Sequence, residues 1–390
     1  MASKQTFVKT TQRDGVTPQT LYIDAGSAGT IAEVIKEKGT KRALILSNKA
    51  TLDYRPVEAM IKKYNDTGIR TFIYQRRNIV ADSRDIEGAL DTYKEYNCDT
   101  IVVVGNRHDI YVAKMTAVCA TNPGKPASFA GIGNIKYDIR LLVCVVVDST
   151  PTSATPECTF FDHSSNTWVN CISQIMLPHI VVIDSEMMMR NNTETVAFSS
   201  LNALCFATEA YLSPFAAANP EYKANAAVAI YKIIGRLDNL VADKLDPYLQ
   251  TKVAVGGFYA GLSTIKLGFG YTYFIMHEMQ QRYGCEYGVG MGRILVKVLR
   301  EMLEFSAPEM AEIARSQHFC TPSLDTISAA QTFIETVGDI YSKNLHDEVL
   351  PYMSPDDRQK IAESVRKMMT DMGYQPRIPT DRLTGVLYNL

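Results

Sequence analysis

The stretch DTIVVVGNRHDIYVAKMTAVCA, residues Asp99–Ala120, decides the fold class. Its first part, residues 99–105, is an apolar run rich in β-branched residues and closed by glycine, which predicts a buried strand. A helical pattern over residues 110–120 follows almost at once. A strand that leads directly into a helix is the repeating unit of parallel sheets that carry helices on their faces. The stretch therefore predicts an α/β fold.

The same alternation extends over the first half of the chain. The predicted strands are residues 20–24, 42–47, 70–75, 99–105, 141–147 and 180–184. The predicted helices are residues 31–38, 56–64, 83–96 and 110–120. Strands that alternate with helices at this spacing predict a parallel, Rossmann-like sheet with helices on both faces.

The pattern changes near residue 185, where strand signals stop and amphipathic helical patterns take over up to residue 375. The predicted helices are residues 197–213, 223–243, 247–266, 271–282, 290–305, 308–316, 324–343 and 354–372. We therefore predict two domains, an α/β domain over residues 1–188 and an all-helical domain over residues 189–390.

Composition limits the class of function. Hydrophobic residues make up 46% and charged residues 21% of the 390 residues, as in ordinary globular proteins. The formal net charge of −2 gives no electrostatic basis for binding nucleic acid or anionic membranes. No run approaches about 18 apolar residues and the N-terminus has no apolar signal core, so we expect a cytoplasmic protein. The 8 cysteines form no Cys-x-x-Cys pair, which favours reduced thiols over disulfides or a zinc site.

A second stretch, FGYTYFIMHEMQQRYGCEYGVGMGRIL over residues 269–295, is more specific about function. Tyr273 and His277 are four residues apart and share one face of a predicted helix. A Gly-Cys turn follows, and a second helix begins after the segment Tyr287–Gly290. Upstream, residues 200–213 read SLNALCFATEAYLS. Together they resemble the iron-containing alcohol dehydrogenase family, whose patterns there are H-x-x-x-H-P-L-G-A, H-G-x-x-N and G-x-D-A-L-x-H-A-x-E-A-Y.

This resemblance extends from about residue 21 to residue 373 and implies a dehydroquinate-synthase-like fold, an α/β domain followed by an all-α domain. In the family, four positions of these patterns bind a divalent iron or zinc ion. In this chain they fall on Asn202, Phe206, Tyr273 and Tyr287. A transition metal needs several imidazole or carboxylate donors that converge on one point, so we expect no metal here.

His277 falls on a histidine that does not bind the metal but lines the active cleft in the family. One interpretation is a general acid beside Tyr273 and Tyr287, in a metal-free site for carbonyl reduction. The other interpretation is a histidine kept for packing and hydrogen bonding. The sequence leaves both open.

The loop after the strand at residues 99–105 corresponds to the dinucleotide loop of the family. A strand that runs into a helix offers backbone N–H groups to a phosphate. The family pattern is G-G-G-S-x-x-D-x-A-K, and this chain has GNRHDIYVAK. Either an arginine holds a phosphate by charge, or the loop is filled and binds no dinucleotide. The candidate cofactor-binding residues are Gly105, Asn106, Arg107, His108 and Lys114.

Two further positions concern the cofactor. Asn48 stands where the family has an aspartate that accepts hydrogen bonds from the adenosine ribose, so NADPH is as good a candidate as NADH. The family motif P-T-T-A-G-T-G-S-E becomes STPTSATPE at residues 149–157. The hydroxyls of Thr150, Thr152 and Thr155 remain candidate donors.

Three functions follow from these readings. The first is a metal-independent NAD(P)H-linked oxidoreductase of aldehydes or ketones that uses Tyr273, His277 and Tyr287. The second is a catalytically inactive pseudoenzyme that serves as a structural or regulatory subunit. The third is a divergent enzyme acting on an anionic substrate held by Arg107, His108 and Lys114.

The resemblance also implies pairing through the N-terminal domain, with a homodimer as the default. The pseudoenzyme hypothesis adds a heteromer with a paralogue. An exposed strand edge is a ready surface for such pairing. We predict the edge strand at residues 21–24 as the contact.

Overall fold

The computed structural model describes residues 9–13, 16–188, 191–288, 290–345, 350–388 and 390, with side chains from residue 19 onward. The chain divides into two compact units. The first unit contains the residues up to 192 together with residues 244–258. The second unit contains residues 193–243 and 259–390.

The strands all belong to the first unit in the described part of the chain. They are β1 (Lys9–Arg13), β2 (Val16–Ile23), β3 (Arg42–Asn48), β4 (Arg70–Arg76), β5 (Thr100–Gly105), β6 (Gly131–Ile132), β7 (Leu141–Val146), β8 (Glu157–Asp162), β9 (Thr167–Ile172) and β10 (Ile180–Ile183). The main sheet has the order β1-β2-β10-β7-β5-β3-β4. Only the β1–β2 pair is antiparallel, and every other neighbouring pair in this sheet is parallel.

The helices of the first unit follow its strands. They are α1 (Ser27–Glu37), α2 (Lys49–Leu52), α3 (Arg55–Asp66), α4 (Ser83–Glu95), α5 (Arg107–Thr121) and α6 (Ser185–Met188). Both faces of the central strands are buried: Ile45 and Val102 belong to a cluster with α1 and α3, while Leu44 and Val103 are buried on the opposite face. Burial on both faces explains the continuous apolar runs and confirms the predicted parallel α/β fold.

Two details of the sheet differ from expectation. The strand at residues 21–24 is not an edge, because β2 lies between β1 and β10. A small second sheet, ordered β6-β9-β8, was not predicted. Its hairpin pairs Phe161 with Trp168, and the turn places Asn166 at a positive φ of 55°. The aromatic residues on both sides of an Asn-containing turn were the missed signal.

The second unit is helical in its described residues. Its helices are α7 (Thr193–Tyr211), α8 (Pro220–Ile234), α9 (Leu237–Ala242), α10 (Pro247–Leu267), α11 (Tyr271–Tyr283), α12 (Met291–Ser316), α13 (Thr326–Asn344), α14 (Pro355–Asp371) and α15 (Thr380–Val386). The boundary between the units falls inside α10, after Phe258. Among the described helices, none is both long and apolar enough to span a membrane.

Two predicted helix boundaries were wrong. The single helix expected over residues 223–243 is α8 and α9, because the chain leaves helical geometry at Arg236, after Gly235 ends α8. The break expected before Pro308 is absent, and α12 runs through it. A proline removes one helical hydrogen bond, here the one to the carbonyl of Glu304, and its cost is local. Packing of α12 against α13 maintains the rest of the helix.

Candidate functional site

The carboxyl ends of parallel strands meet at one edge of the main sheet, where ligands bind in open α/β folds. There β3 ends at Asn48, β4 at Arg76 and β5 at Gly105. The strand order places β5, β3 and β4 side by side. The predicted dinucleotide loop therefore lies next to the ends of β3 and β4.

Asp109 is the central residue of this loop, although sequence analysis did not single it out. It lies in the first turn of α5 and is fully buried. Its Oδ2 accepts the backbone N–H of Asn106 at 3.1 Å and the Asn48 side-chain amide at 2.9 Å. A Cβ on Gly105 would lie 2.2 Å from this oxygen, so glycine is required for the carboxylate to fold back over the loop.

Arg76 completes the arrangement with a charge. Its Nε donates to Asp109 Oδ1 at 2.6 Å, and both side chains are almost completely buried. The guanidinium also donates to the carbonyls of Asn78 and Ile79, at 2.8 Å for Ile79. A buried ion pair is maintained when further hydrogen bonds satisfy its remaining donors, as here.

The N-terminus of α5 is capped by the side chains of the loop itself. Asn106 accepts the backbone N–H of His108 at 3.0 Å and that of Asp109. Asp109 accepts the N–H of Asn106 in return, which completes a capping box. A phosphate at a helix N-terminus binds through such N–H groups. The loop therefore does not fit a dinucleotide diphosphate bound in that manner.

The predicted phosphate ligands around this loop have internal contacts. Arg107 is buried; burial raises the pKa values of Asp148 and Glu157, and the positive charge of Arg107 opposes that rise. His108 Nδ1 accepts the backbone N–H of Ala81 at 3.3 Å. Asn48 both bonds Asp109 and caps α2 through Thr51 N–H at 3.0 Å.

Lys114 is fully buried and does not face a ligand, which differs from the expectation that it holds an anion. Its Nζ donates to the carbonyls of Thr152, Thr155 and Glu157 at 2.7, 2.8 and 3.0 Å. An ammonium group has three N–H donors, so these bonds use all of them. Burial lowers the pKa of Lys114. This residue fixes the segment that begins β8.

The threonine hydroxyls predicted as donors are buried in the same segment. Thr150 and Thr152 bond each other at 2.9 Å, and Thr155 donates to Glu157 Oε1 at 3.3 Å. Tyr111 donates to the same carboxylate oxygen. Burial raises the pKa of the Glu157 carboxyl. These hydroxyls stabilise the fold of the segment.

Asp148 lies just after the carboxyl end of β7, at the same edge of the sheet. Burial raises the pKa of Asp148 to about 7, although the N–H of Thr150 donates to it at 2.9 Å. At neutral pH this carboxyl is therefore partly protonated.

In the second unit, the four positions of the family metal ligands lie on α7, on α11 and in the turn before α12. An aromatic cluster is formed there by Phe206, Phe269, Tyr273 and Tyr287. Ring centroids are 4.1 Å apart for Phe269 and Tyr273, 5.8 Å for Phe206 and Tyr273, and 5.9 Å for Tyr273 and Tyr287. All four side chains are buried.

This donor set does not fit a divalent transition metal. Asn202 has a buried Oδ1 without a hydrogen-bond partner among the described residues, which leaves one neutral oxygen donor on α7. Over the described ranges, no three His, Cys, Asp or Glu side chains lie close enough to hold an ion. Iron and zinc sites in proteins need several nitrogen, thiolate or carboxylate ligands.

His277 lies on α11, one turn after Tyr273, and is 9% exposed. Burial lowers the pKa of His277 to about 4, against a weak opposing effect of Glu278. At neutral pH the imidazole is therefore uncharged.

Glu209 is a second residue that sequence analysis left without a role. Its carboxylate accepts the N–H groups of Thr272 and Tyr273 at 2.7 and 3.4 Å and so caps α11. A Cβ on Gly270 would lie 2.4 Å from its carboxyl carbon, so this approach requires glycine. Burial raises the pKa of Glu209 to about 7.

The functional residues that the sequence analysis missed differ in how far the sequence indicated them. The spacing of Asn106 and Asp109 is that of a capping box and could have been recognised. Phe269 was quoted but not assigned to the cluster. Arg76 had no signal, because its partner is 33 positions away and is reached only through the strand order.

Comparison with known proteins agrees with this architecture. The family description "Iron-containing alcohol dehydrogenase" matches residues 18–185, and "Fe-containing alcohol dehydrogenase family, C-terminal" matches residues 196–379. The chain is 24% identical over 327 residues to 1,3-propanediol dehydrogenase of Citrobacter freundii, covering 83% of this chain and 84% of that protein. It is 22% identical to the NAD-dependent methanol dehydrogenase of Bacillus methanolicus, covering 84% and 85%.

A solved structure of a 1,3-propanediol oxidoreductase superimposes with a TM-score of 0.84 at 20% identity, covering 98% of this chain and 99% of that chain. The two family matches together account for most of the sequence. This chain belongs to the iron-containing alcohol dehydrogenase family of oxidoreductases.

Proposed function

We propose that this protein is a family member that does not carry out metal-dependent hydride transfer and that acts as a non-catalytic structural or regulatory subunit. The observation that carries the proposal is the aromatic cluster of Phe206, Phe269, Tyr273 and Tyr287. Two of the family ligand positions have become contacting tyrosines and a third is phenylalanine. Rings in contact exclude both the ion and the water that a catalytic metal would hold.

The nucleotide loop supports the same proposal independently. One relative of this chain is named an NAD-dependent methanol dehydrogenase. In this chain, the side chains of Asp109 and Asn106 already accept N–H groups of the loop and of the first turn of α5, so these groups are not available to a cofactor phosphate. A preserved fold with both sites filled by protein side chains favours a role in assembly, with a catalytically competent paralogue as the proposed partner.

The test is metal content and turnover of untagged protein. We expect no bound iron or zinc after dialysis, and no oxidation of NADH or NADPH with a panel of aldehydes and ketones. The control is the variant Asn202→Asp/Phe206→His/Tyr273→His/Tyr287→His, which restores the four family ligands and should take up zinc. Stoichiometric metal in the wild type, together with turnover that a chelator abolishes, would sink the proposal.

A metal-independent NAD(P)H-linked reductase is the second candidate function. The observation that favours it is the neutral imidazole of His277. A buried neutral imidazole one turn from Tyr273 retains an N–H that could donate to a carbonyl oxygen. This candidate predicts turnover in excess EDTA that Tyr273→Phe and His277→Gln both abolish. Turnover that survives both variants would exclude this site, and its complete absence in wild type leaves the non-catalytic role.

A further inference from the structure

The carboxylate of Asp109 lies where a helix N-terminus normally attracts an anion. The helix behind it, α5, is 15 residues long, and the positive end of its dipole faces the loop. Asp109 is in the first turn, and its side chain folds back over Gly105 to reach the loop N–H groups. The anion that this helix end favours is therefore part of the same chain.

Three donors from separate parts of the chain converge on this carboxylate. They are Arg76 Nε at 2.6 Å, the Asn48 side-chain amide at 2.9 Å and the Asn106 backbone N–H at 3.1 Å. A guanidinium, an amide and a backbone N–H at a helix terminus are the groups that proteins use to bind phosphate oxygens.

The donors are held in place without the carboxylate. Arg76 is fixed from behind by the carbonyls of Asn78 and Ile79. Asn48 is fixed by its cap of α2 at Thr51. Asn106 is fixed by the N–H of His108, whose bond does not involve Asp109. Removing the carboxylate would leave the donors oriented toward the vacated volume.

We propose that Asp109 is a built-in substitute for a bound phosphate group, which closes this loop to phosphate-bearing ligands and conceals a latent nucleotide site. Asn48 and Asn106, on two sides of the carboxylate, are partly exposed, so the volume that Asp109 fills opens toward solvent once the side chain is shortened. The ligand class is a nucleoside diphosphate, bound by one of its phosphate groups.

The experiment is calorimetric titration of wild type and of Asp109→Ser with ADP and with inorganic phosphate. We expect no saturable binding by the wild type up to millimolar ligand. We expect Asp109→Ser to bind both ligands, with ADP at least about tenfold tighter than in the wild type because the Arg76 charge is then free. The matched control is Arg76→Met/Asp109→Ser, which has the same vacated volume without the cation and should lose the binding.

Two results overturn the inference: saturable ADP binding by the wild type, or a folded Asp109→Ser protein that binds neither ligand. Asp109→Ala also vacates the volume of the carboxylate and replaces the serine variant where the latter unfolds, with the same expectation. The wild-type titration can overturn the inference by itself.

The inference concerns the first unit only, and its failure is distinguishable from failure of the proposed function. A wild type that binds ADP but no metal overturns the inference and leaves the metal part of the proposal intact. A wild type that takes up metal but no ADP does the reverse.

Discussion

At Arg76 and Asp109, two opposite charges share a volume from which water is nearly excluded. Such a pair contributes little net stability when intact, because desolvation offsets the attraction of the charges. Breaking it on one side is costly, since the other charge remains buried without compensation. The loop geometry therefore depends on both members.

We predict that Arg76→Met lowers the free energy of unfolding by about 3–5 kcal/mol, because it leaves Asp109 charged and unpaired. Urea denaturation followed by circular dichroism measures this. The matched control is Lys360→Met, which removes the exposed pair with Asp356 and should change stability little. Equal effects of the two substitutions would show that the buried pair has no special role.

Glu209 gives a pH-dependent prediction. Its pKa in the folded protein is raised to about 7, against about 4.3 in an unfolded chain. The folded state therefore keeps a proton that the unfolded state releases. The resulting stability is fully present below about pH 4 and is lost as pH rises through 7.

We expect Glu209→Gln, which keeps an acceptor for the N–H of Thr272, to remove this loss. Between pH 5 and pH 8, the wild type should lose about 2.5 kcal/mol more unfolding free energy than the variant. Urea denaturation at the two pH values measures the difference. Parallel pH profiles of the two proteins would contradict the raised pKa.

At this scale, the sequence could predict which positions differ from the family pattern, but it could not predict which residues contact one another. It predicted an altered loop at Asn106 and Arg107 and non-ligand residues at the metal positions. It could not predict that Asp109 bonds Arg76 and Asn48, because those contacts exist only after β5, β3 and β4 become neighbours.

At the scale of elements, α12 is held against α13 by close packing. Gly292 on α12 lies under Tyr341 of α13, where a Cβ would be 2.4 Å from the ring. The Tyr341 hydroxyl donates to the Leu201 carbonyl on α7 at 2.6 Å. One glycine therefore permits a contact that joins three helices.

We predict that Gly292→Ala lowers the free energy of unfolding by about 1–3 kcal/mol, because the tyrosine ring must move and weaken its bond to α7. The control is Gly385→Ala in α15, where an added Cβ meets nothing within 4 Å. That change should be neutral or stabilising by about 0.5–1 kcal/mol through helix propensity. Thermal unfolding of both variants measures the contrast, and destabilisation by the control alone would refute the assignment.

The helix boundaries show why element prediction failed where it did. Pro308 is a strong local signal for a break, but burial of one face of α12 outweighs it. Gly235 is a weaker signal that was passed over, and there α8 ends. Local propensity competes with packing energy that depends on residues distant in sequence.

At the scale of the whole molecule, the fold class was predictable because hydrophobic periodicity is distributed over hundreds of residues and tolerates local error. The family was predicted from the resemblance of the motifs at residues 200–213 and 269–295. The runs at residues 42–47, 99–105 and 141–147 all became parallel strands. The small sheet was missed because its strands lie in a segment without helical alternation.

We predict that chelation does not change thermal unfolding of this protein. Melting in excess EDTA, and melting with added zinc, should give the same midpoint within error, because no three His, Cys, Asp or Glu side chains of the described residues lie close enough to hold an ion. Differential scanning calorimetry measures this. An upward shift with zinc that saturates at one equivalent would contradict it.

The cluster of Phe206, Phe269, Tyr273 and Tyr287 also constrains the routes by which this sequence could change. Replacing one ring by histidine or aspartate removes aromatic contacts that contribute about 0.5–1.5 kcal/mol each. One or two new donors do not yet bind an ion, since a stable site needs three or four. Variants that carry only one or two new donors would therefore be less stable than the present cluster without gaining an ion, so single substitutions do not lead to a metal site through stable intermediates.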